Sequence, residues 1–236
     1  MLLERVLEPE VMDSPDEALA YDSMDHDDVN RKFVDDMLTA IAAQVDTLPA
    51  EPTRDDEGVF LDFLDLGTGT AQIPIELCER DERFRCLAID MAESMLEIGR
   101  RNLEMAHFAD RVVLELEDAK SLPYEADRFS VVFSNSIIHH IPEPAHAIAE
   151  AVRVTKPGGM LFFRDLIRPP DDAAVKRLVY TYARNETDEQ RQLLDASLRA
   201  ALSLQEVRDL VSANGFDPHG VTTTSDRHWT WVGSKQ

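Results

Sequence analysis

Residues 60–77 read FLDFLDLGTGTAQIPIEL. Apolar residues run up to Leu66, stop at a Gly-Thr-Gly-Thr turn, and resume with helical spacing. A short apolar run of this kind suits a strand buried on both faces. The stretch therefore reads as a strand (Phe60–Leu66), a turn and a helix (Thr70–Arg80). Gly67 and Gly69 allow positive φ and let a ligand approach the backbone with no Cβ in the way. The helix behind them offers unpaired N–H groups, suited to a carboxylate or phosphate. An acid, Asp65, stands just before the turn.

The same alternation continues along the chain. RCLAID (85–90), RVVLELE (111–117), RFSVVFSN (128–135) and MLFFRDLI (160–167) read as strands. Glu93–Met105 and residues 144–154 read as helices, and Lys156–Gly159 as a turn. Strand–helix alternation implies right-handed crossovers and a parallel, doubly wound α/β sheet. GFDPHGVTTT and DRHWTWVG close the chain as two strands of an antiparallel hairpin. Between them and the alternating region, residues 171–200 read as a wholly helical insert before the last helix. Thr187 with Gln190 and Ser203 with Glu206 fit capping boxes, and Gly215 is a helix stop. Towards the N-terminus, Phe33, Met37, Ile41 and Val45 share one helical face. The stretch LPAEPTRDDEG (48–58) reads as a polar loop. Residues 1–28 carry ten acids and one base. They read as an acidic, partly ordered arm ahead of a domain spanning residues 29–236. The acids of DHDD (25–28) precede a helix, where they favour its dipole.

Composition narrows the function classes. The net charge is −22, from 46 acids against 24 bases. Such a surface repels phosphate backbones, and no Lys/Arg cluster offsets it, so no nucleic-acid partner is expected. No apolar run approaches 18 residues, so no membrane span is expected. The acidic N-terminus lacks the basic and apolar regions of a signal peptide. Cys78 and Cys86 match no zinc spacing and read as buried thiols in a reducing, cytoplasmic setting.

The glycine turn could serve a dinucleotide, but position 72 of the G-x-G-x-x-G fingerprint is Gln72. Asp65 would also face a pyrophosphate unfavourably, whereas it could pair with an ammonium group. A ligand with both ammonium and carboxylate groups fits better, and the methionine part of S-adenosylmethionine has both. About twenty residues on, Asp90 ends the next strand, where a carboxylate accepts hydrogen bonds from a ribose diol. Met91 could pack on adenine, and Asp118 could accept a bond from its amino group.

Five segments carry a family resemblance: LDLGTGT (64–70), AIDMAESML (88–96), EDAKSLPY (117–124), FSNSIIHHI (133–141) and TKPGGMLFFRD (155–165). In order and spacing they resemble the successive motifs of class I S-adenosylmethionine-dependent methyltransferases. The resemblance covers roughly Phe33–Asp165. DxAxSML and LPYxxxxF are most similar to the small-molecule branch, including the ubiquinone/menaquinone C-methylating group, and YDSMDHDDVN (21–30) resembles that group's Tyr-Asp segment. The resemblance implies a Rossmann-like seven-stranded sheet, mostly parallel with an antiparallel last strand. It implies S-adenosylmethionine as cofactor and a small-molecule methyl acceptor as partner, with a homodimer compatible. Asp65 and Gly67, Thr68, Gly69 and Thr70 would hold the methionine end. Asp90 would hold the ribose, Met91, Asp118 and Ala119 the adenine, and Ser134 and Asn135 would lie beside the sulfonium. Ala71 replaces a glycine often found there, which is tolerable if its backbone is helical.

His139 and His140 follow the fourth strand, near the expected methyl donor, and either could act as base or polar clamp. Adjacent residues point in different directions, and with His146 they make no familiar metal set. Asp165 could face the substrate or pair with Arg164 or Arg168. Residues 171–200 are expected to cap the acceptor pocket, with Tyr180, Tyr182, His228, Trp229 and Trp231 as candidate walls. The competing reading is a non-catalytic, methyltransferase-like module that binds the nucleoside as a regulator or partner.

Overall fold

The computed structural model describes residues 3–236 except 12, 25, 45–47, 50, 53–58 and 83, and describes 51–52 and 59–61 by backbone alone. Val45, Asp25 and most of the 48–58 loop thus lie outside the described residues. The chain order is α1 (Pro15–Asp22), α2 (Asp27–Ala43), β1 (Glu51–Pro52), β2 (Val59–Leu66), α3 (Gln72–Arg80), β3 (Phe84–Asp90), α4 (Glu93–Ala106), β4 (Val112–Leu116) and β5 (Phe129–Asn135). Then come α5 (Pro144–Val154), β6 (Thr155–Leu166), α6 (Asp172–Ala183), α7 (Asp188–Ala200), α8 (Leu204–Ala213), β7 (Val221–Thr223) and β8 (His228–Ser234).

Seven strands form one sheet in the order β4-β3-β2-β5-β6-β8-β7, and the two-residue β1 pairs with β2 off this path. Strands β4 through β6 run parallel. Strand β8 runs antiparallel to β6, and β7 antiparallel to β8. The chain builds outward from β2 to β4, then returns to place β5 on the other side of β2. The switch point lies between β2 and β5, where ligands bind in such sheets.

Alternation along each strand feeds two cores. Leu64, Leu66, Val132, Leu161 and Phe163 pack with Trp229 and Trp231 under α5 and α8. Phe63, Val131, Phe133 and Phe162 face α2 and α3 through Phe33, Met37, Ile41 and Leu77. Cys78 and Cys86 are buried free thiols in this second core. Both capping boxes form, at Ser203–Glu206 and Thr187–Gln190. Among the described residues, no helix is long and apolar enough to cross a membrane.

Three local expectations are corrected. Lys156–Gly159 is not a free turn: it lies inside β6, as an irregularity where the pairing with β5 shifts register. A Cβ on Gly159 would sit 2.8 Å from Lys156 O and 2.9 Å from Ser130 O, so only glycine passes here. The penultimate strand is short, because Pro218–Gly220 forms a 3₁₀ turn ahead of it. Helix α3 starts at Gln72, and Ala71 at its N-cap is left-handed (φ +64) rather than helical. A Cβ in that region costs roughly 1–2 kcal/mol.

Candidate functional site

The turn after β2 is fixed by two constraints. Gly67 has φ +75, and a Cβ there would lie 1.9 Å from Ile137 Cγ2. Gly67 N and Thr68 N both donate to Ile89 O at 2.9 Å, which ties the turn to the end of β3. Gly69 also has positive φ, with Tyr21 lying over it. Asp90 then joins the two strand ends. Its Oδ2 accepts from Gly69 N at 2.8 Å and its Oδ1 from Ala92 N at 2.9 Å. Burial pushes the Asp90 carboxyl up, and these backbone donors offset only part of that.

The turn opens onto a crevice at the switch point, enclosing about 800 Å³ of open space. Of the residues expected from sequence, Gly67, Gly69, Asp90, Met91, Asp118, Ala119, Asn135 and His140 line it. Asp65, Thr68, Thr70 and Ser134 do not; they are buried. Asp65 is pushed up to about 8, by burial first, with Asp90's charge adding and Thr68 opposing. Ser134 Oγ donates to Leu66 O at 3.0 Å and so braces β5 against β2. The Thr70 hydroxyl is buried with no partner among the described residues.

At the far end, Asp118 Oδ1 accepts from Lys120 N at 2.8 Å and pairs with Lys120 Nζ at 2.9 Å. Lys120 also pairs with Glu10 of the N-terminal arm. Glu10, Val11 and Tyr21 therefore wall the crevice, as do Lys120, Ser136 and Ile137. Sequence reasoning did not assign these residues to the site. Tyr21 had a signal, the Tyr-Asp segment; Glu10 had none, because its partner is 110 residues away. Ser136 is left-handed (φ +63), held by donation from its N–H to Arg164 O at 2.9 Å.

The three candidate catalytic residues separate. Asp165 does not face the crevice, and it pairs with neither arginine. Its Oδ1 lies 2.5 Å from His139 Nδ1, and its Oδ2 accepts from His139 N at 3.1 Å. Arg164 turns instead to Asp36 and Thr230, and Arg168 to Glu206. Burial opposes both charges of the His139–Asp165 pair. Their mutual attraction outweighs it, holding the His139 pKa above and the Asp165 pKa below the ordinary values. His140 lines the crevice, but burial and the neighbouring His139 push it down to about 4. The two imidazoles do not diverge, because residues 138–140 form a turn. Their centroids are 4.2 Å apart with a 35° tilt.

The expected aromatic walls are elsewhere. Trp229 and Trp231 are core residues, His228 is not among the lining residues, and Tyr180 and Tyr182 are exposed. The arm takes that place. Arg5 donates to the carbonyls of His139, Ile141, Pro142 and Ala200, and so lashes the arm to the β5–α5 loop and the end of α7.

Comparisons with known proteins address the family and the fold. Residues 64–163 match the family profile described as "Methyltransferase domain". The 27-O-demethylrifamycin SV methyltransferase of Amycolatopsis mediterranei is 29% identical over 164 residues, 69% of this chain and 56% of that one. The ubiquinone/menaquinone biosynthesis C-methyltransferase UbiE of Roseobacter denitrificans is 33% identical over 48% of this chain and 46% of its own length. The chain thus spans about half the length of these curated relatives. Among solved structures, the plantazolicin methyltransferase BpumL superposes with a TM-score of 0.66 at 13% identity, covering 94% of this chain and 92% of that one. A SAM-dependent methyltransferase from Aquifex aeolicus gives 0.62 at 15% identity, covering 94% and 99%. At those identities the likeness concerns the fold. Residues 64–163 are thus similar to the methyltransferase domain, and the strand order is that of a Rossmann-like methyltransferase fold.

Proposed function

We propose that the protein transfers a methyl group from S-adenosylmethionine to a small organic acceptor. One observation carries this reading: the glycine turn, Asp90 and Asp118 open onto a single crevice at the switch point of the sheet. The crevice chemistry fits the cofactor. Its rim is acidic at Glu10, Asp90, Glu117 and Asp118, which suits a cationic ligand, and its wall is apolar at Met91, Met95 and Ile137.

When bound, the cofactor supplies an electrophilic methyl group on a sulfonium. The Gly67–Thr70 turn lets the amino-acid end approach its backbone closely, with Asp65 buried beneath to meet the ammonium. Asp90 takes the ribose hydroxyls on lone pairs left by its two backbone bonds. Met91 and Ala119 flank the adenine, Asp118 accepts from its amino group, and Asn135 lies towards the sulfonium, with Ser134 fixing its strand. Helices α6 and α7 and the arm restrict access for the acceptor. Catalysis then rests mainly on alignment, which contributes roughly 7–11 kcal/mol in well-oriented systems. His140, neutral at physiological pH, serves as a polar clamp rather than a strong base.

Net charge argues for a small acceptor over nucleic acid. So does the sequence Ser134-Asn135-Ser136-Ile137, which lacks the Pro-Pro-aromatic run of nucleic-acid amino-methyltransferases. A second reading, a cofactor-binding module without transfer, draws on the mutual capture of His139 and Asp165. A screen of metabolite pools for S-adenosylhomocysteine formation separates the two. Turnover with one pool supports transfer. Tight cofactor binding with no turnover in any pool supports the second reading.

A further inference from the structure

Three donor atoms meet where the N-terminal arm crosses the β5–α5 loop. Glu8 Oε1 lies 3.4 Å from His139 Nε2 and 3.3 Å from His140 Nδ1. All three atoms fall within 4.8 Å of one another. Yet Glu8 Oε1 and His140 Nδ1 are buried with no hydrogen-bond partner among the described residues. Leaving such groups unpaired is costly. The two separations from Glu8 match something else. Donors bound to one ion at roughly 2.0–2.2 Å, at tetrahedral angles, lie about 3.3–3.6 Å apart.

The outer shell is also in place. His139 Nδ1 faces Asp165 at 2.5 Å, and a carboxylate behind an imidazole fixes the tautomer that leaves Nε2 free to ligate. Glu8 Oε2 accepts from Ser197 Oγ at 3.3 Å, which holds the carboxylate's other oxygen. The donor set, two imidazoles and one carboxylate, suits borderline first-row divalent ions. Magnesium and calcium prefer oxygen ligands throughout.

We propose that Glu8, His139 and His140 form a binding site for a divalent transition-metal ion of the zinc class at the rim of the crevice. Three protein ligands leave a position for water or for an acceptor oxygen. His140 also lines the crevice, so the ion sits beside the acceptor space. Glu8 belongs to the arm and the histidines to the body, so the ion fastens one to the other. The site stands independently of the methyl-transfer reading.

Metal-stripped full-length protein titrated with Co²⁺, and with Zn²⁺ against a chromophoric chelator, tests the proposal. One equivalent binds, and Co²⁺ develops the visible absorption of a low-coordinate N/O site. Glu8→Gln and His140→Gln each weaken binding by about 100-fold or more. His146→Gln, on an exposed side chain outside the cluster, leaves it unchanged. His139→Gln also breaks the buried Asp165 pair, so the arm variant carries the test, with circular dichroism confirming its fold. Absence of stoichiometric binding at micromolar metal overturns the site, as does binding that both variants retain. Cofactor calorimetry on the same samples separates this outcome from the functional reading: cofactor binding without metal binding overturns the metal site alone.

Discussion

Gly67 is the residue on which the site turns. An alanine there meets Ile137 at 1.9 Å and occupies a left-handed backbone. The conformational term is roughly 1–2 kcal/mol and overpacking adds roughly 1–3. Gly67→Ala is therefore expected to lose about 2–5 kcal/mol in urea unfolding; a loss below about 1 kcal/mol would contradict the close approach. Asp65 gives a pH signature. At about 8, its carboxyl is mostly protonated at neutral pH in the ligand-free protein. A bound ammonium group favours the ionised form. Binding of S-adenosylmethionine should then release a proton near pH 7, and affinity should rise between about pH 6 and 8. Asp65→Asn should remove both effects, and calorimetry in buffers of different ionisation enthalpy reads them. Stability carries the opposite sign. The folded pKa lies well above that of an ordinary carboxylate, so the ligand-free fold gains from the proton at low pH and loses that gain as pH rises through about 8.

At the scale of elements, the alternating strands and helices were legible because each is a local pattern. The runs ending at Leu66, Asp90 and Asn135 have the length and apolar content of buried strands, and Pro144–Val154 has an amphipathic period. What stayed hidden depends on long-range pairing or on backbone detail. Asp165 and His139 are 26 residues apart, and nothing local distinguishes that partner from Arg164 or Arg168. Ala71 is left-handed, which an alanine does not announce; the glycine often found there in the resembling family was the one sign of it. The arm was read as acidic and partly ordered, yet α1 has a complete capping box and Arg5 reaches carbonyls up to 195 residues away. Removing residues 1–13 is expected to preserve the fold by circular dichroism. It should weaken cofactor binding about tenfold, or about 1.4 kcal/mol, as Glu10 and Val11 leave the wall. Unchanged affinity would assign the arm no part in the site.

The whole molecule combines a widely shared sheet with a less predictable cover. Of the fourteen site residues read from sequence, eight line the crevice, because topology alone brings strand ends together at a switch point. The wall residues Glu10 and Val11 were not legible, because they come from the arm, whose placement follows tertiary contacts rather than motifs. The central claim concerns that shared crevice. Isothermal titration calorimetry of S-adenosylmethionine and S-adenosylhomocysteine against the full chain and Asp90→Ala tests it most directly. The account predicts one site for each ligand on the unmodified protein and a loss of at least about 100-fold in the variant, some 2.7 kcal/mol. Binding of neither ligand to the unmodified protein, or equal affinity in the variant, would contradict it.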